Sequence, residues 1–250
     1  MKEILYLWRI IIISRLLNPG GKKYMSISEN IKLIKKELPD SVTLLAVSKT
    51  KPLEYLEEAY QAGMRDFGEN KVQEMMEKEN IFHKDVRWHF IGTLQTNKVK
   101  YLVGKVHLIH SLSSIKLLQK IEKEFGKSNE IANVLIQINI GREESKSGIF
   151  IEDLEEIISE IEKCKYVKAK GIMVIIPKGN DSENRTYFKK TKEIFDNLKS
   201  RNFNNISMDV LSMGMTHDYK IAVEEGSTLI RVGEGIFGKR MYNLGGKENE

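Results

Sequence analysis

The segment Val134-Leu135-Ile136-Gln137-Ile138-Asn139-Ile140 is apolar almost throughout and shows little alternation between apolar and polar residues. Such a run is typical of a parallel strand that is covered on both faces, because a strand with one face in water alternates. Comparable runs recur along the chain and predict seven further strands. These are Thr43–Lys49, Asp66–Glu69, Arg87–Gly92, Leu108–Leu112, Ala169–Ile176, Met208–Met213 and Thr228–Val232.

Amphipathic stretches separate the predicted strands and predict helices. They are Leu53–Ala62, Lys71–Glu79, Thr96–Val103, Ser114–Phe125, Ile151–Lys163, Asn184–Ser200 and His217–Glu225. Eight βα units, one roughly every thirty residues, predict an α/β fold of the (β/α)8 barrel type. An open doubly wound sheet requires the same local pattern, so periodicity alone leaves both architectures open.

Length and composition favour one domain with a full core, since the chain has 250 residues, 41% of them hydrophobic, and no Gly/Pro/Ser-rich linker. We expect a single barrel domain over residues 25–242, preceded by an extension at 1–24 and followed by a tail at 243–250. The only cysteine, Cys164, excludes a disulfide framework and a Cys-based zinc site. Cysteine usage therefore favours a reducing, cytoplasmic location.

The first 24 residues differ from the rest of the chain. Their apolar run is interrupted by Arg9 and Arg15, so it is too short and too charged to span a bilayer, and it lacks a good signal-cleavage site. Met25 is followed by a capping box, Ser26-x-x-Glu29, that opens a predicted helix ending at Pro39. We expect the natural protein to begin at Met25, with a membrane-surface anchor as the competing interpretation of residues 1–24. Mass spectrometry of the natural N-terminus distinguishes them.

The basic charge is concentrated in the same extension. Residues 1–24 contain five basic residues and one acidic residue, which is +4 of the net charge of +5. The remaining chain is nearly neutral, with acids and bases interspersed along its predicted helices. This distribution argues against a nucleic-acid-binding surface.

In a barrel, ligands bind at the carboxyl ends of the strands. The first strand ends at Lys49, where partial burial would disfavour the ammonium form and free the amine for Schiff-base chemistry. Strands seven and eight end in Ser212-Met213-Gly214 and Gly233-Glu234-Gly235, whose small residues and backbone N–H groups suit a phosphate. A phosphorylated aldehyde fits this arrangement, and pyridoxal 5′-phosphate is the common cofactor of that kind.

Other motifs in the sequence say less about function. Residues 233–238 match G-x-G-x-x-G, but the chain after them is too short for the βαβ unit of a dinucleotide-binding fold. The five histidines show no metal-ligand spacing, and we expect mostly structural or surface roles for them, with His89 a candidate to line the pocket. His107 and His110, three apart on a predicted strand, are expected to face opposite sides.

Five segments together resemble the pyridoxal phosphate homeostasis protein family, in order and at matching spacing from about residue 26 to 240. They are Ala46-Val47-Ser48-Lys49-Thr50-Lys51, residues 67–74 (FGENKVQE), residues 88–98 (WHFIGTLQTNK), Leu211-Ser212-Met213-Gly214-Met215 and Arg231-Val232-Gly233. That family is similar to the barrel domain of alanine racemases. The resemblance implies a (β/α)8 TIM barrel of the fold-type III class with an extra N-terminal helix.

The resemblance also implies site residues for pyridoxal 5′-phosphate. Lys49 would hold it as a Schiff base, Arg231 would face the pyridine nitrogen, and Asn70 would lie near the ring. Phosphate contacts would come from Ser212, Met213, Gly233 and Glu234. Glu234 departs from the family pattern, in which Thr or Ser is usual, and places a carboxylate near a dianion unless its side chain turns to solvent.

The function that follows is vitamin B6 homeostasis, with the cofactor held but not turned over robustly. The alternative is a racemase-like enzyme, which needs a second acid opposite Lys49 and a second domain, and neither is evident in the sequence. Expected partners are pyridoxal phosphate and the apo-enzymes that use it, with no nucleic acid and no membrane. Evenly polar outer helices favour a monomer.

Overall fold

The structure, a computed structural model, describes residues 25–238. The predictions made for the extension at 1–24 and for the tail at 243–250 lie outside these residues. The described chain alternates strands and helices in the order expected from the sequence, starting with a helix.

Eight parallel strands form one closed barrel in chain order. The barrel closes where the first strand pairs with the eighth, with Leu45 opposite Arg231 and Ala46 opposite Val232. This closure confirms the barrel and excludes the open sheet. The strands are β1 Thr43–Val47, β2 Asp66–Glu69, β3 Arg87–Phe90, β4 Leu108–Leu112, β5 Ala132–Ile138, β6 Val167–Val174, β7 Ile206–Met215 and β8 Leu229–Val232.

Helices connect successive strands on the outside of the barrel. They are α1 Ile27–Glu37, α2 Leu53–Gln61, α3 Val72–Ile81, α4 Ile115–Gly126, α5 Leu154–Glu162, α6 Asp181–Lys199, α7 Tyr219–Glu224 and α8 Glu234–Phe237. A 3₁₀ helix, Thr96–Tyr101, stands where the sequence predicted a longer helix to Val103, and a second one, Ile151–Asp153, leads into α5.

The opening helix α1 begins with the capping box that the sequence predicts. Ser26 Oγ accepts a hydrogen bond from the Glu29 N–H, and the Glu29 carboxylate accepts one from the Ser26 N–H. Asn30 Nδ2 donates a 2.9 Å hydrogen bond to the carbonyl oxygen of Ile236 in α8. The helix therefore packs beside the barrel, against the connection that follows its last strand.

The apolar core has two layers. The main one lies between the strands and the surrounding helices and includes Ile31, Phe67 and Phe188. A small second cluster, Leu108, Leu135 and Met173, comes from neighbouring strands, at positions two residues away from the polar His110 and Gln137. Since successive side chains alternate across a strand, these residues share the inner face of the barrel. The barrel interior is therefore apolar in part and polar in part.

Candidate functional site: the carboxyl end of the barrel

Lys49 follows the end of β1, two residues beyond Val47, and is half-buried. It shares the strand parity of Leu45 and Val47, so it continues their inner face towards the barrel mouth. The chain turns over residues 48–51, where Lys51 N–H donates to the carbonyl oxygen of Ser48 at 3.0 Å and Thr50 has a φ of 61°, in the left-handed region that an extended chain does not enter. The sequence-based strand to Lys49 was therefore too long by two residues.

A buried ammonium supports the turn that carries Lys49. Lys78 Nζ donates to the carbonyl oxygen of Ser48 at 2.9 Å and pairs with Glu69 Oε1 at 2.8 Å. It also pairs with Glu74 Oε1 at 2.7 Å, and the same oxygen accepts the N–H of Thr50 at 2.6 Å. The residues on either side of Lys49 are thus both tied to one buried charge cluster.

The carboxylate of Glu69 belongs to the same cluster and is completely buried. Ser48 Oγ donates to Glu69 Oε1 at 2.6 Å, whereas Glu69 Oε2 is buried without a hydrogen-bond partner. Burial raises the pKa of Glu69, an effect that Lys78 partly offsets. Glu69 and Lys78 therefore form a buried ion pair and not a surface one.

Asn70 follows β2 at the same end of the barrel. Its Oδ1 is buried and has no hydrogen-bond partner. The backbone of Asn70 packs tightly against Gly92, where an added Cβ would lie 2.1 Å from the Asn70 carbonyl oxygen. A buried polar atom without a partner costs free energy, so such an atom at a barrel mouth indicates a place for a ligand group.

Arg231 projects from β8 into the barrel and is only 4% exposed. Its Nη1 donates to the carbonyl oxygen of Ser212 at 2.9 Å and to Ser212 Oγ at 2.6 Å, and its Nη2 donates to the carbonyl oxygen of Val174 at 2.8 Å. All three acceptors are uncharged. Burial lowers the pKa of Arg231 to about 10, although the charge of Asp218 acts to raise it. The guanidinium therefore stays protonated at neutral pH.

Ser212 links Arg231 to a pair of buried histidines. His110 Nδ1 lies 3.2 Å from Ser212 Oγ, and His110 Nε2 lies 2.9 Å from His89 Nδ1. His89 Nε2 in turn lies 3.1 Å from Asp66 Oδ1. This series, which we call the Asp66–Ser212 chain, comprises Asp66, His89, His110 and Ser212. It crosses the barrel interior from the first residue of β2 to β7.

The carboxyl end of β7, from which the next loop starts, depends on a glycine. Met213 is buried, and its carbonyl oxygen accepts the Ser227 hydroxyl at 2.8 Å. Gly214 has a φ of 92°, and a Cβ added there would lie 2.6 Å from the Cβ of Ala222. Only glycine fits this position without strain or collision.

The loop after β8 lies beside it. Gly235 N–H donates to Thr216 Oγ1 at 3.2 Å, which joins the two loops that the sequence assigned to a phosphate. An added Cβ at Gly233 would lie 3.3 Å from Val47 Cβ and from the Val47 carbonyl oxygen. The backbone at Gly233 therefore lies close to β1, near Lys49. The side chain of Glu234 is exposed to solvent.

The structure thus brings the predicted residues to one end of one barrel, but it gives Ser212 a further role as the partner of Arg231. Sequence reasoning missed Lys78, although its spacing after Val72 and Met75 places it on the buried face of α3. It also missed Asp66 and the contact between His89 and His110. The expectation for His107 was wrong, since the centroids of its ring and of the His110 ring each lie 5.2 Å from that of His89. His107 precedes β4, so strand parity does not govern it.

Residues 25–238 contain neither a candidate membrane span nor a candidate metal site. None of the helices in residues 25–238 has the length and apolar character needed to cross a bilayer. Within the same residues, no group of three or more His, Cys, Asp or Glu side chains is arranged to hold a metal ion.

Comparison with known proteins defines the class first. The sequence model of the family described as "Alanine racemase, N-terminal domain" matches residues 24–241. The alanine racemase of Corynebacterium glutamicum superposes with a TM-score of 0.68 at 13% identity, covering 89% of this chain and 62% of that one, which shows a shared fold. The chain is therefore a barrel of the alanine racemase N-terminal domain class.

Closer relatives carry one name. "Pyridoxal phosphate homeostasis protein" of Aquifex aeolicus is 46% identical over 201 residues, which cover 80% of this chain and 87% of that protein. The Haemophilus influenzae protein of the same name is 39% identical over 233 residues, with 88% and 98% covered. The chain belongs to the pyridoxal phosphate homeostasis protein family, whose members are named as homeostasis proteins and not as enzymes.

Solved structures of PipY from Synechococcus elongatus agree with this assignment. The structure described as without PLP is 34% identical and superposes with a TM-score of 0.81. The structure described as having PLP bound is 33% identical, with a TM-score of 0.77. Each comparison covers 85% of this chain and the whole of PipY.

Proposed function

We propose that this protein binds pyridoxal 5′-phosphate at the carboxyl end of its barrel and holds it as a Schiff base on Lys49. The observation that carries the proposal is the placement of Lys49 just beyond the end of β1 and of Arg231 on its paired strand β8, both with inward parity. The relative PipY, which has the same barrel, has been solved with this cofactor. When bound, pyridoxal phosphate supplies an aldehyde that condenses with an amine and a ring that withdraws electrons.

The residues present fit this cofactor. Asn70 Oδ1 is buried and unpartnered at the mouth, where it can accept a hydrogen bond from a ligand group. A Cβ would collide with Ala222 at Gly214 and would be tight against Val47 at Gly233. The backbone N–H groups at these glycines have no side chain of their own in the way of a phosphate. We assign the phosphate contacts to Ser212, Met213, Gly233 and Glu234, through backbone groups for Glu234, because its side chain is exposed.

Arg231 favours holding the cofactor over using it. A guanidinium only donates hydrogen bonds and keeps its proton at neutral pH, so a pyridine nitrogen beside it accepts a hydrogen bond and stays unprotonated. An unprotonated ring is a weak electron sink and stabilises a carbanion poorly. We therefore propose that the protein carries the cofactor without robust turnover.

A racemase-like activity is the alternative, and it requires a second proton-transfer group opposite Lys49. Exchange of the α-hydrogen of amino acids in D₂O tests for it. The carrier proposal predicts no sustained exchange that depends on Lys49, and such exchange would overturn it.

Reductive trapping tests the cofactor site itself. Purified protein mixed with pyridoxal phosphate is expected to show the absorbance of a Schiff base, and borohydride is expected to fix a pyridoxyl adduct on Lys49. Lys49→Ala should lose both signals, while Lys51→Ala serves as a matched control on the neighbouring lysine. An adduct that maps elsewhere, or none, would refute the proposal.

Partners and location complete the proposal. We propose that the protein works as a monomer in the cytoplasm, which a single cysteine suits, and that it exchanges cofactor with apo-enzymes. Transfer from the loaded protein to an apo-enzyme, faster than release to buffer, is the measurement that supports direct delivery.

A further inference from the structure

We propose that the Asp66–Ser212 chain is a positioning device for Arg231, in which a carboxylate at the amino end of the barrel orients the guanidinium at the cofactor end. The proposal goes beyond the proposed function, on which it rests for the contact between Arg231 and the cofactor ring. It assigns His89, His110 and Asp66 as positioning residues.

The direction of each hydrogen bond follows from the two ends of the chain. Arg231 can only donate, so Ser212 Oγ accepts from it and has its own proton to give. At the other end, burial acts to raise the pKa of Asp66, but hydrogen bonds from His89 and Arg87 outweigh burial and lower it to about 2. Asp66 is therefore a carboxylate at neutral pH, and it only accepts.

The two histidines connect Ser212 to Asp66 through their ring nitrogens. His110 is completely buried, and burial lowers its pKa well below the ordinary value, so the ring is neutral with one donor and one acceptor nitrogen. We propose the arrangement in which His89 Nε2 donates to Asp66 and His89 Nδ1 accepts from His110 Nε2. His110 Nδ1 then accepts the Ser212 hydroxyl. In this arrangement the ring nitrogens of both histidines and Ser212 Oγ all have partners.

The charge environment explains why Arg231 needs such support. No ion pair of Arg231 occurs within residues 25–238, and its hydrogen-bond acceptors are all uncharged. A buried charge without a paired counter-charge is costly. Donation by Ser212 into a series that ends on a carboxylate makes Ser212 Oγ a stronger acceptor for the guanidinium, because linked hydrogen bonds polarise one another.

The titratable and charged groups around the chain come from several strands. Asp66 lies on β2, Arg87 and His89 on β3, His107 and His110 at β4, and Arg231 on β8. Arg87 Nη2 pairs with Asp66 Oδ2 at 2.5 Å and fixes the carboxylate from the outer side. The rings of His107 and His89 are close neighbours, and burial lowers the pKa of His107. None of these neighbours is a carboxylate that pairs with Arg231.

The tautomer of His110 is the first test and needs no cofactor. Nitrogen-15 NMR of the full-length protein labelled at histidine reports which ring nitrogen carries the proton. We expect a protonated Nε2 and an unprotonated Nδ1 for His110 at neutral pH. A protonated Nδ1 would reverse the chain and overturn the proposal.

The second test compares two ligands: pyridoxal phosphate and its analogue in which the ring nitrogen is replaced by CH. We expect Asp66→Asn and His110→Phe to weaken binding of pyridoxal phosphate by about tenfold, the scale of one lost hydrogen bond that acts on a charged group. The same substitutions should change binding of the analogue much less, because it offers Arg231 no acceptor. Asp85→Asn, which removes a carboxylate that binds Tyr60 and Arg65 at the surface, is the matched control and should change neither ligand.

The outcomes separate the two proposals. If the unsubstituted protein binds neither ligand on Lys49, the proposed function fails. If it binds both and the substitutions weaken both equally, the chain is only structural and the positioning role is refuted. A variant that fails to fold leaves the tautomer of the unsubstituted protein as the deciding result.

Discussion

Lys78 and Glu69 form a buried ion pair with an Nζ–Oε1 distance of 2.8 Å, and the same ammonium donates to the carbonyl oxygen of Ser48, the residue before Lys49. The pair therefore connects α3 to the turn after β1. It therefore supports the turn that carries Lys49.

We predict that Lys78→Met destabilises the protein by about 3–5 kcal/mol, because it leaves the Glu69 carboxylate buried without its counter-charge. Denaturant unfolding measures this change. The turn that carries Lys49 should also loosen, which borohydride trapping would report as slower adduct formation.

Lys84→Met is the matched control for that substitution. Lys84 is exposed and pairs with Glu79 at 3.4 Å, so its replacement should change stability by less than about 1 kcal/mol. Adding Glu69→Gln to Lys78→Met should restore part of the lost stability. Equal effects of Lys78→Met and Lys84→Met would show that the buried pair does not support the turn.

A second prediction concerns the carboxyl end of β7 and the loop that follows it. Gly214→Ala should cost roughly 2 kcal/mol or more, since it combines a left-handed φ with a Cβ 2.6 Å from that of Ala222. Affinity for pyridoxal phosphate should fall as well, because the loop would have to shift. Gly238→Ala shares a positive φ of 76° but meets nothing within 4 Å, so it should cost only about 1 kcal/mol and spare affinity. Similar losses of stability in both variants would show that the contact of the added Cβ with Ala222 does not destabilise Gly214→Ala.

The barrel could be predicted from the sequence because its signals are local. Apolar runs without alternation, such as that of β5, report strands covered on both faces, and amphipathic runs such as α4 report the helices between them. Closure of the barrel could not be predicted from periodicity, because a closed and an open sheet have the same sequence pattern. Closure depends on the pairing of β1 with β8, which lie about 185 residues apart along the chain.

The sequence predicts which residues stand at the strand ends of the candidate site, but not the contacts that support them. Lys49 and Arg231 stand at positions that any barrel would use for a ligand. The contact of Asp66 with His89 and of His110 with Ser212 depends on the stagger of neighbouring strands, which single-strand patterns do not contain. Lys78 was overlooked because a lysine on a helix is usually exposed, and its burial is recognised only once Glu69 is seen to pair with it.

A third prediction concerns the only cysteine. Burial, with Glu122 and Glu160 as nearby charges, raises the pKa of Cys164 to about 12, and its thiol donates to the carbonyl oxygen of Glu160. Because the thiolate is the nucleophile, alkylation by iodoacetamide at pH 8 should be at least about 100-fold slower than for an unperturbed thiol. The same protein unfolded in urea should react at the ordinary rate. Fast alkylation of the folded protein would contradict the burial of this thiol.

A fourth prediction concerns acid stability and follows from the carboxylate at the far end of the Asp66–Ser212 chain. The pKa of Asp66 in the folded protein is about 2, against an ordinary value of 3.8. A lowered folded pKa means that the unfolded state binds the proton more readily. The carboxylate therefore stabilises the fold fully above about pH 4, and this stabilisation is lost as the pH falls towards 2.

The difference between the two pKa values corresponds to roughly 2 kcal/mol at neutral pH. Asp66→Asn should therefore lower the free energy of unfolding by that amount or more at pH 7, and the gap to the unsubstituted protein should narrow between pH 4 and pH 3. Urea unfolding at a series of pH values measures the gap. Asp40→Asn, at an exposed position between α1 and β1, should show a small gap that hardly varies. A gap for Asp66→Asn that stays constant or widens in acid would show that His89 and Arg87 do not stabilise the charged carboxylate.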